Sequence, residues 1–265
     1  MRPQIKFYQG DCLETMHYLP DKSIDLVLCD LPYGQTHNAW DCPINADALW
    51  GQYRRIIKDH GAIVLFGSGR FTASLIISAG KLYRYNLVWQ KTTPTGFLNA
   101  NRMPLRAHED IIVCYKHLPV FHPQITHGHR RKTSTIEHKQ NCRKTTNYGP
   151  HSLRSYDSTD RYPLSILTFK SDKQKSALHP TQKPVQLLEW LIRSYTDPGA
   201  VVLDNCMGSG STGIACINTG RNFIGIELDA GYYDVAKARI NAANQSESID
   251  GKETAKDRVR TGETT

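Results

Sequence analysis

The sequence has no apolar run approaching the roughly 20 residues that span a bilayer, and its N-terminal "MRPQIKFYQGD" has no apolar stretch of the secretory kind. These two absences set the expectation of a cytoplasmic protein without a membrane partner. No CxxC pair occurs. The seven cysteines are odd in number and scattered, so they read as reduced thiols rather than a disulfide frame or a zinc site, and no metal is expected. There is no internal repeat. A chain of 265 residues suits one large domain, or a domain carrying an insertion, with a sizeable core.

Net charge is also missing from most of the chain. Between Lys116 and Lys175 there are 12 Lys or Arg against 4 Asp or Glu, a surplus equal to the whole chain's +8. The remainder carries 21 residues of each sign, and six of the eleven histidines also fall in that segment. A neutral body with one basic segment points to a polyanion such as nucleic acid. A solvated loop that happens to be basic is the other reading.

What the sequence does have is alternation of strand and helix signals. The runs 5–11, 24–30, 61–66, 85–91, 108–116, 200–206 and 222–228 read as strands, and several are continuous apolar stretches of the kind buried on both faces. Helical periodicity covers 45–58, 70–79, 184–196, 211–220 and 230–243, with Pro184 suited to a first turn and Gly220 to a C-terminal stop. The pattern predicts an α/β fold with a mostly parallel sheet. Periodicity fades over 117–176, which reads as an inserted recognition region. From Gln245 onward the polar composition predicts a disordered tail.

Two stretches carry chemistry. "VVLDNCMGSGSTGIA" (201–215) is a strand, a glycine-rich turn and a helix start. Gly208 and Gly210 permit positive φ and close backbone approach, and the helix start offers free amides. A P-loop would need Lys where Ser211 stands, and "GSGSTG" departs from the dinucleotide pattern. Glu227 ends the next strand, about twenty residues on, where an acid can accept both hydroxyls of a ribose. The pair suits a nucleoside with a charged amino-acid arm. The second stretch, "LVLCDLPYG" (26–34), ends a buried strand in Asp30, Leu31, Pro32 and Tyr33. A turn needs the proline or the glycine, but not the acid or the aromatic.

In these motifs the chain resembles the S-adenosylmethionine (AdoMet)-dependent DNA amino-methyltransferases of the permuted beta class, over residues 5–243. The family's catalytic motif, (Asp/Asn/Ser)-Pro-Pro-Tyr, stands here as Asp30-Leu31-Pro32-Tyr33. Its cofactor motif "DPFxGSGTT" stands as "DNCMGSGST", with Asn205 and Cys206 in place of Pro and Phe, and "HPTQKP" (179–184) matches a third motif. The resemblance implies a doubly wound, Rossmann-like sheet, circularly permuted, with an inserted target-recognition region. It divides the chain into a catalytic half (1–116), the insertion (117–176), an AdoMet-binding half (177–244) and the tail (245–265). The implied cofactor set is Asp11, Lys183, Asp204, Gly208, Gly210, Ser211, Thr212 and Glu227. Permutation would bring Asp11, at the tip of the first strand, beside the adenine of AdoMet; capping a helix at 12–18 is an equal reading. Lys183 either meets the cofactor carboxylate or belongs to a helix-start motif. "FGSGR" (66–70) and "RAHEDI" (106–111) are secondary, with Glu109 and His108 read more readily as structural.

The catalytic motif makes chemical sense on this reading. An exocyclic amine on a base is a poor nucleophile because its lone pair is delocalised. Asp30 can accept one N–H, the Leu31 carbonyl by family analogy the other, Pro32 stiffens the loop, and Tyr33 offers a face to a base swung out of the duplex. The expected activity is methylation of adenine N6 in duplex DNA. An N4-cytosine enzyme and a catalytically idle DNA-binding protein of the same fold are the alternatives. Arg130, Arg131, Lys132, Arg143 and Lys144 in the insertion are the expected DNA contacts. The resemblance further implies a homodimer, a cognate restriction nuclease as partner, and a bacterial or phage enzyme acting at the nucleoid.

Overall fold

A computed structural model describes residues 2–34, 42–141, 153–171 and 182–260. The chain forms two compact units, 1–122 with 165–265, and 123–164. The first unit holds an eight-stranded sheet. Its strands are β1 (Ile5–Gln9), β2 (Ile24–Cys29), β3 (Ile57–Gly67), β4 (Tyr83–Thr95), β5 (Arg106–Cys114), β8 (Ile166–Phe169), β9 (Val201–Asp204) and β10 (Asn222–Glu227). They lie in the order β1-β10-β9-β2-β3-β5-β4-β8. All pairings are parallel except those of β5 with β3 and β4. The N-terminal strand β1 lies beside β10, next to the two strands nearest the C-terminus.

Helices cover both faces, which is the doubly wound arrangement. The period-2 alternation of a strand decides which face each residue serves. In β2, Leu26 and Leu28 pack into a core with α5 (Val185–Tyr195), α6 (Ser211–Thr219) and α7 (Ala230–Arg260). Val27 and Cys29 pack into the opposite core with α1 (Cys12–Met16), α2 (Ala46–Ile56) and α3 (Arg70–Ala79). With both faces covered, the run Leu26–Cys29 is wholly apolar; Asp25, near the start of the strand, is held by Lys58 and the Val201 amide, and the next acid is Asp30, just past the strand's end.

The second unit is small. Its strands β6 (Lys132–Ser134) and β7 (Tyr156–Ser158) form an antiparallel pair, and α4 (Ile136–Asn141) follows β6. Arg161 staples it by donating to the Tyr156 hydroxyl at 3.1 Å, the Ser158 carbonyl at 3.2 Å, the Asp160 carbonyl at 2.6 Å and the Arg130 carbonyl.

Two expectations are corrected. The inserted unit is 123–164 rather than 117–176, because β8 joins the main sheet beside β4. That strand is four residues long at the sheet edge, with Ile166 exposed, too short and too one-sided for a buried-strand signal. The expected tail from Gln245 is helical instead, as α7 runs to Arg260. Its Ala, Gln, Glu, Lys and Arg content favours helix, and adding a residue to an existing helix costs far less than nucleating one. Among the described residues no helix is long and apolar enough to cross a membrane.

Candidate active site

Strands β9 and β2 are parallel neighbours, with Leu26 opposite Val202 and Val27 opposite Leu203. Their carboxyl ends therefore open on the same edge of the sheet, where open α/β folds bind ligands. A cleft of about 920 Å³ lies there. Asp30, Leu31, Pro32, Tyr33, Asp11, Lys183, Asp204, Gly208, Ser211, Thr212 and Glu227 all line it, so both motif sets meet in one cavity.

On the β9 side, the glycine turn is shaped by its glycines. Gly210 has φ +82°, and a Cβ there would meet Ala236 and Ile240 of α7 at 2.9–3.2 Å. Asp204 accepts the Cys206 amide at 3.2 Å and the Thr212 hydroxyl at 2.6 Å. Burial pushes its carboxyl up to about 6 even against those two hydrogen bonds. Glu227 accepts the Gly208 amide at 2.8 Å and the Asp229 amide at 3.0 Å, one on each oxygen. Burial holds its pKa above the ordinary carboxylate value, opposed by these amides. Each oxygen keeps a further lone pair for a hydroxyl. Among the described residues, Ser211 Oγ and Gln182 Oε1 are buried without a hydrogen-bond partner, and both residues line the cleft. A nucleoside ligand with a charged arm fits this set: a fixed acid, first-turn amides of α6 lacking intrahelical partners, and buried polar atoms in need of partners.

Asn205 takes the place of a proline in the family motif and is committed elsewhere. The buried Tyr53 hydroxyl of α2 donates to its Oδ1 at 2.6 Å, tying the glycine turn after β9 to α2. Tyr53→Phe leaves that oxygen unsatisfied and is expected to cost about 1–3 kcal/mol, measured as a lower midpoint in denaturant at unchanged slope. Cys206, where the family has Phe, packs at the edge of the α1–α3 core.

On the β2 side, Asp30 Oδ1 accepts the Tyr33 hydroxyl at 2.9 Å and Oδ2 accepts Lys183 Nζ at 2.5 Å. Phe71 of α3 stacks on Tyr33 with ring centroids 4.6 Å apart. Lys183 also meets Glu109 Oε2 at 3.1 Å, and Lys91 meets Glu109 Oε1 at 2.5 Å. Burial raises Asp30 above the usual carboxylate value, and Lys183 only partly offsets it. For Lys183 burial acts downward, but Asp30 and Glu109 outweigh it and hold the ammonium above its ordinary value. For Glu109 burial acts upward, but Lys183 and Lys91 outweigh it and hold the carboxylate below its ordinary value.

Lys183, which the sequence leaves between the cofactor carboxylate and a helix-start motif, pairs with Asp30 in the cleft. Glu109, weighted to a structural role, is a member of the site, and Lys91 was not foreseen. Its spacing from Glu109 across β4 and β5 was the available signal, since both strands end at the cleft. Asp11 Oδ1 caps α1, accepting Leu13 and Glu14 amides at 2.7 and 3.2 Å, and the residue also lines the cleft. Ser68 of "FGSGR" and His108 line the cleft too.

In the small unit, Arg131 is already paired in a fork with Asp157, both contacts 2.7 Å, and both side chains are exposed. Arg130 and Lys132 are exposed. Arg143 and Lys144, and residues 179–181 of "HPTQKP", lie outside the described residues.

The profile of the N6/N4 DNA methylase family matches residues 24–238. The type II methyltransferase M.HinfI of Haemophilus influenzae is 28% identical over 266 aligned positions, 88% of this chain and 67% of that protein. The type II methyltransferase M2.MboI of Moraxella bovis is 27% identical over 88% of this chain and 86% of that protein. The crystal structure of M1.HpyAVI in complex with SAM superposes with a TM-score of 0.62, is 26% identical, and covers 90% of this chain and 100% of that one.

Proposed function

Because the chain belongs to the N6/N4 DNA methylase family, we propose that it methylates N6 of an adenine swung out of duplex DNA. The enzyme is an AdoMet-dependent DNA methyltransferase; adenine as the target base is the finer step, and Asp30 carries it. In this family an acid or amide at the first motif position usually accompanies adenine chemistry, and serine usually accompanies N4 of cytosine.

The cofactor supplies an electrophilic methyl group. Glu227 would receive its ribose hydroxyls, and the Gly208–Thr212 turn with Ser211 Oγ would hold its charged arm. The remaining work falls to the β2 end. Asp30 accepts one N–H of the target amine and the Leu31 carbonyl the other, which draws the nitrogen lone pair out of conjugation and towards the methyl carbon. Methylation would break the sulfonium–methyl bond, leaving a thioether, and put positive charge on the nitrogen; the Asp30 carboxylate would stabilise that charge and pass the released N–H proton to solvent. Phe71 backs the Tyr33 ring on one side, which stiffens a platform for the extruded base on the other. Holding amine and methyl donor in line supplies most of the rate.

The small unit, basic and inserted between strands of the main sheet, is where we place target recognition, with Arg130 and Lys132 as phosphate contacts. The names of M.HinfI and M2.MboI as type II methyltransferases support a restriction–modification setting in a bacterium or its phage, with a cognate nuclease. Transfer of label from methyl-labelled AdoMet tests the function: incorporation is expected into mixed-sequence duplex DNA. Incorporation into RNA or protein alone would overturn it.

A further inference from the structure

Both oxygens of Asp30 are already engaged. Oδ1 holds the Tyr33 hydroxyl at 2.9 Å, and Oδ2 holds Lys183 Nζ at 2.5 Å. An amine that is to donate to Asp30 must therefore share or displace a contact. The hydroxyl comes from the same loop and moves with it. The ammonium comes from Lys183, two residues before α5 and 153 positions away, and it has a second acid within reach: Glu109 Oε2, at 3.1 Å. Glu109 is in turn held from its other oxygen by Lys91 Nζ at 2.5 Å, so it cannot follow Lys183 towards Asp30. The side chains of Lys183, Lys91 and Glu109 are only 8, 11 and 16% exposed, so none of these charges can retreat into water. Lys183 has three donors and no acceptor. It can serve two carboxylates at once, or one fully.

Resting on the methyltransferase reading above, we propose that Lys183 is a positioning residue that guards Asp30 Oδ2 between turnovers and withdraws onto Glu109, anchored by Lys91, when the target amine arrives. The arrangement keeps a lone carboxylate from sitting unpaired in the cleft before DNA binds, an expensive state when buried. It also frees an anionic oxygen at the moment an N–H donor replaces the ammonium. Charge in the cleft is conserved through the exchange, and no proton need move.

The groups facing Asp30 are Lys183 ahead of α5, Glu109 on β5, Lys91 behind it on β4, Tyr33 in its own loop, Asp204 on β9 and Cys29 beside it. Among the described residues, Lys183 touches the exchanged oxygen and Glu109 meets the same ammonium, and the two act on Asp30 with opposite sign. The acid limb of the kcat–pH profile reports groups in the loaded complex, and Asp30 must be ionised to accept N–H. Lys183→Met removes the cation, so protonated Asp30 persists to higher pH and the acid limb moves up by about 1 to 3 pH units. Glu109→Gln removes a neighbouring anion and leaves Lys183 bound to Asp30 alone. The limb then moves down, and kcat at neutral pH falls by about tenfold, the worth of one charge-assisted hydrogen bond.

The experiment is the kcat–pH profile of wild type, Lys183→Met and Glu109→Gln at saturating AdoMet and duplex DNA, with calorimetric AdoMet Kd for each. Opposite displacements of the acid limb, with Kd at the wild-type value, are expected. General damage to the site would not move the limb in two directions. Limbs that stay in place, or move together, overturn the exchange. So does a Lys183→Met enzyme that loses AdoMet affinity with its limb unmoved, since Lys183 would then serve the cofactor. Glu109→Gln is isosteric and decides the matter if Lys183→Met does not fold. A wild type that transfers no methyl group to DNA overturns the underlying reading as well.

Discussion

Asp30→Ala is expected to lower the rate of methyl transfer by about a hundredfold or more while AdoMet binding stays near the wild-type value. The separation follows from the sheet. Asp30 stands past the end of β2 and touches Tyr33 and Lys183. The cofactor turn follows β9 and is organised by Asp204, Thr212, Gly208 and Glu227 among themselves. No hydrogen bond joins the two sets among the described residues, so removing the acid leaves the turn intact. Lys183 keeps Glu109 as its partner, so the variant does not strand a buried cation. Single-turnover methylation and calorimetry on the same preparation check both halves. Wild-type turnover would remove Asp30 from the chemistry, and loss of AdoMet binding would place it in the cofactor site.

Glu227→Ala should act the other way. The variant removes the proposed ribose acceptor and leaves the Gly208 and Asp229 amides without their partner. Losing hydrogen bonds to a charged group costs on the order of 1.5–3 kcal/mol, so AdoMet should bind about tenfold more weakly or worse. At saturating AdoMet, kcat should recover most of its value, since the amine-accepting end is untouched. Unchanged affinity by calorimetry would reject the ribose role.

Much of this site was legible before any coordinates. The continuous apolar runs of β2 and β9 fixed them as strands buried on both faces, and a strand of that kind shows its chemistry only at its tip. That is why Asp30 and Asp204 stood out. Gly208 and Gly210 were legible because a strand-to-helix turn needs positive φ there, and they adopt +51° and +82°. The missing parts are those that depend on distant partners. Lys183 sits beside Pro184 in a helix-start motif, and nothing local says which acid it will meet 153 residues away. Glu109 lies in a strand whose polar alternation looks like a solvated face until Lys91 and Lys183 close around it. Asn205 reads as a loss of the family's proline; only the fold brings the Tyr53 hydroxyl to it. Strand β8 was hidden by its length and by the basic, polar sequence around it. The extension of α7 was hidden because a helix without an apolar stripe leaves no periodic mark.

The most direct test of the account is nucleoside mass spectrometry of duplex DNA methylated in vitro by the purified protein with AdoMet. Asp30 at the head of the catalytic motif predicts N6-methyladenine as the product, and none from the Asp30→Ala protein. N4-methylcytosine without N6-methyladenine would contradict the assignment of the target base.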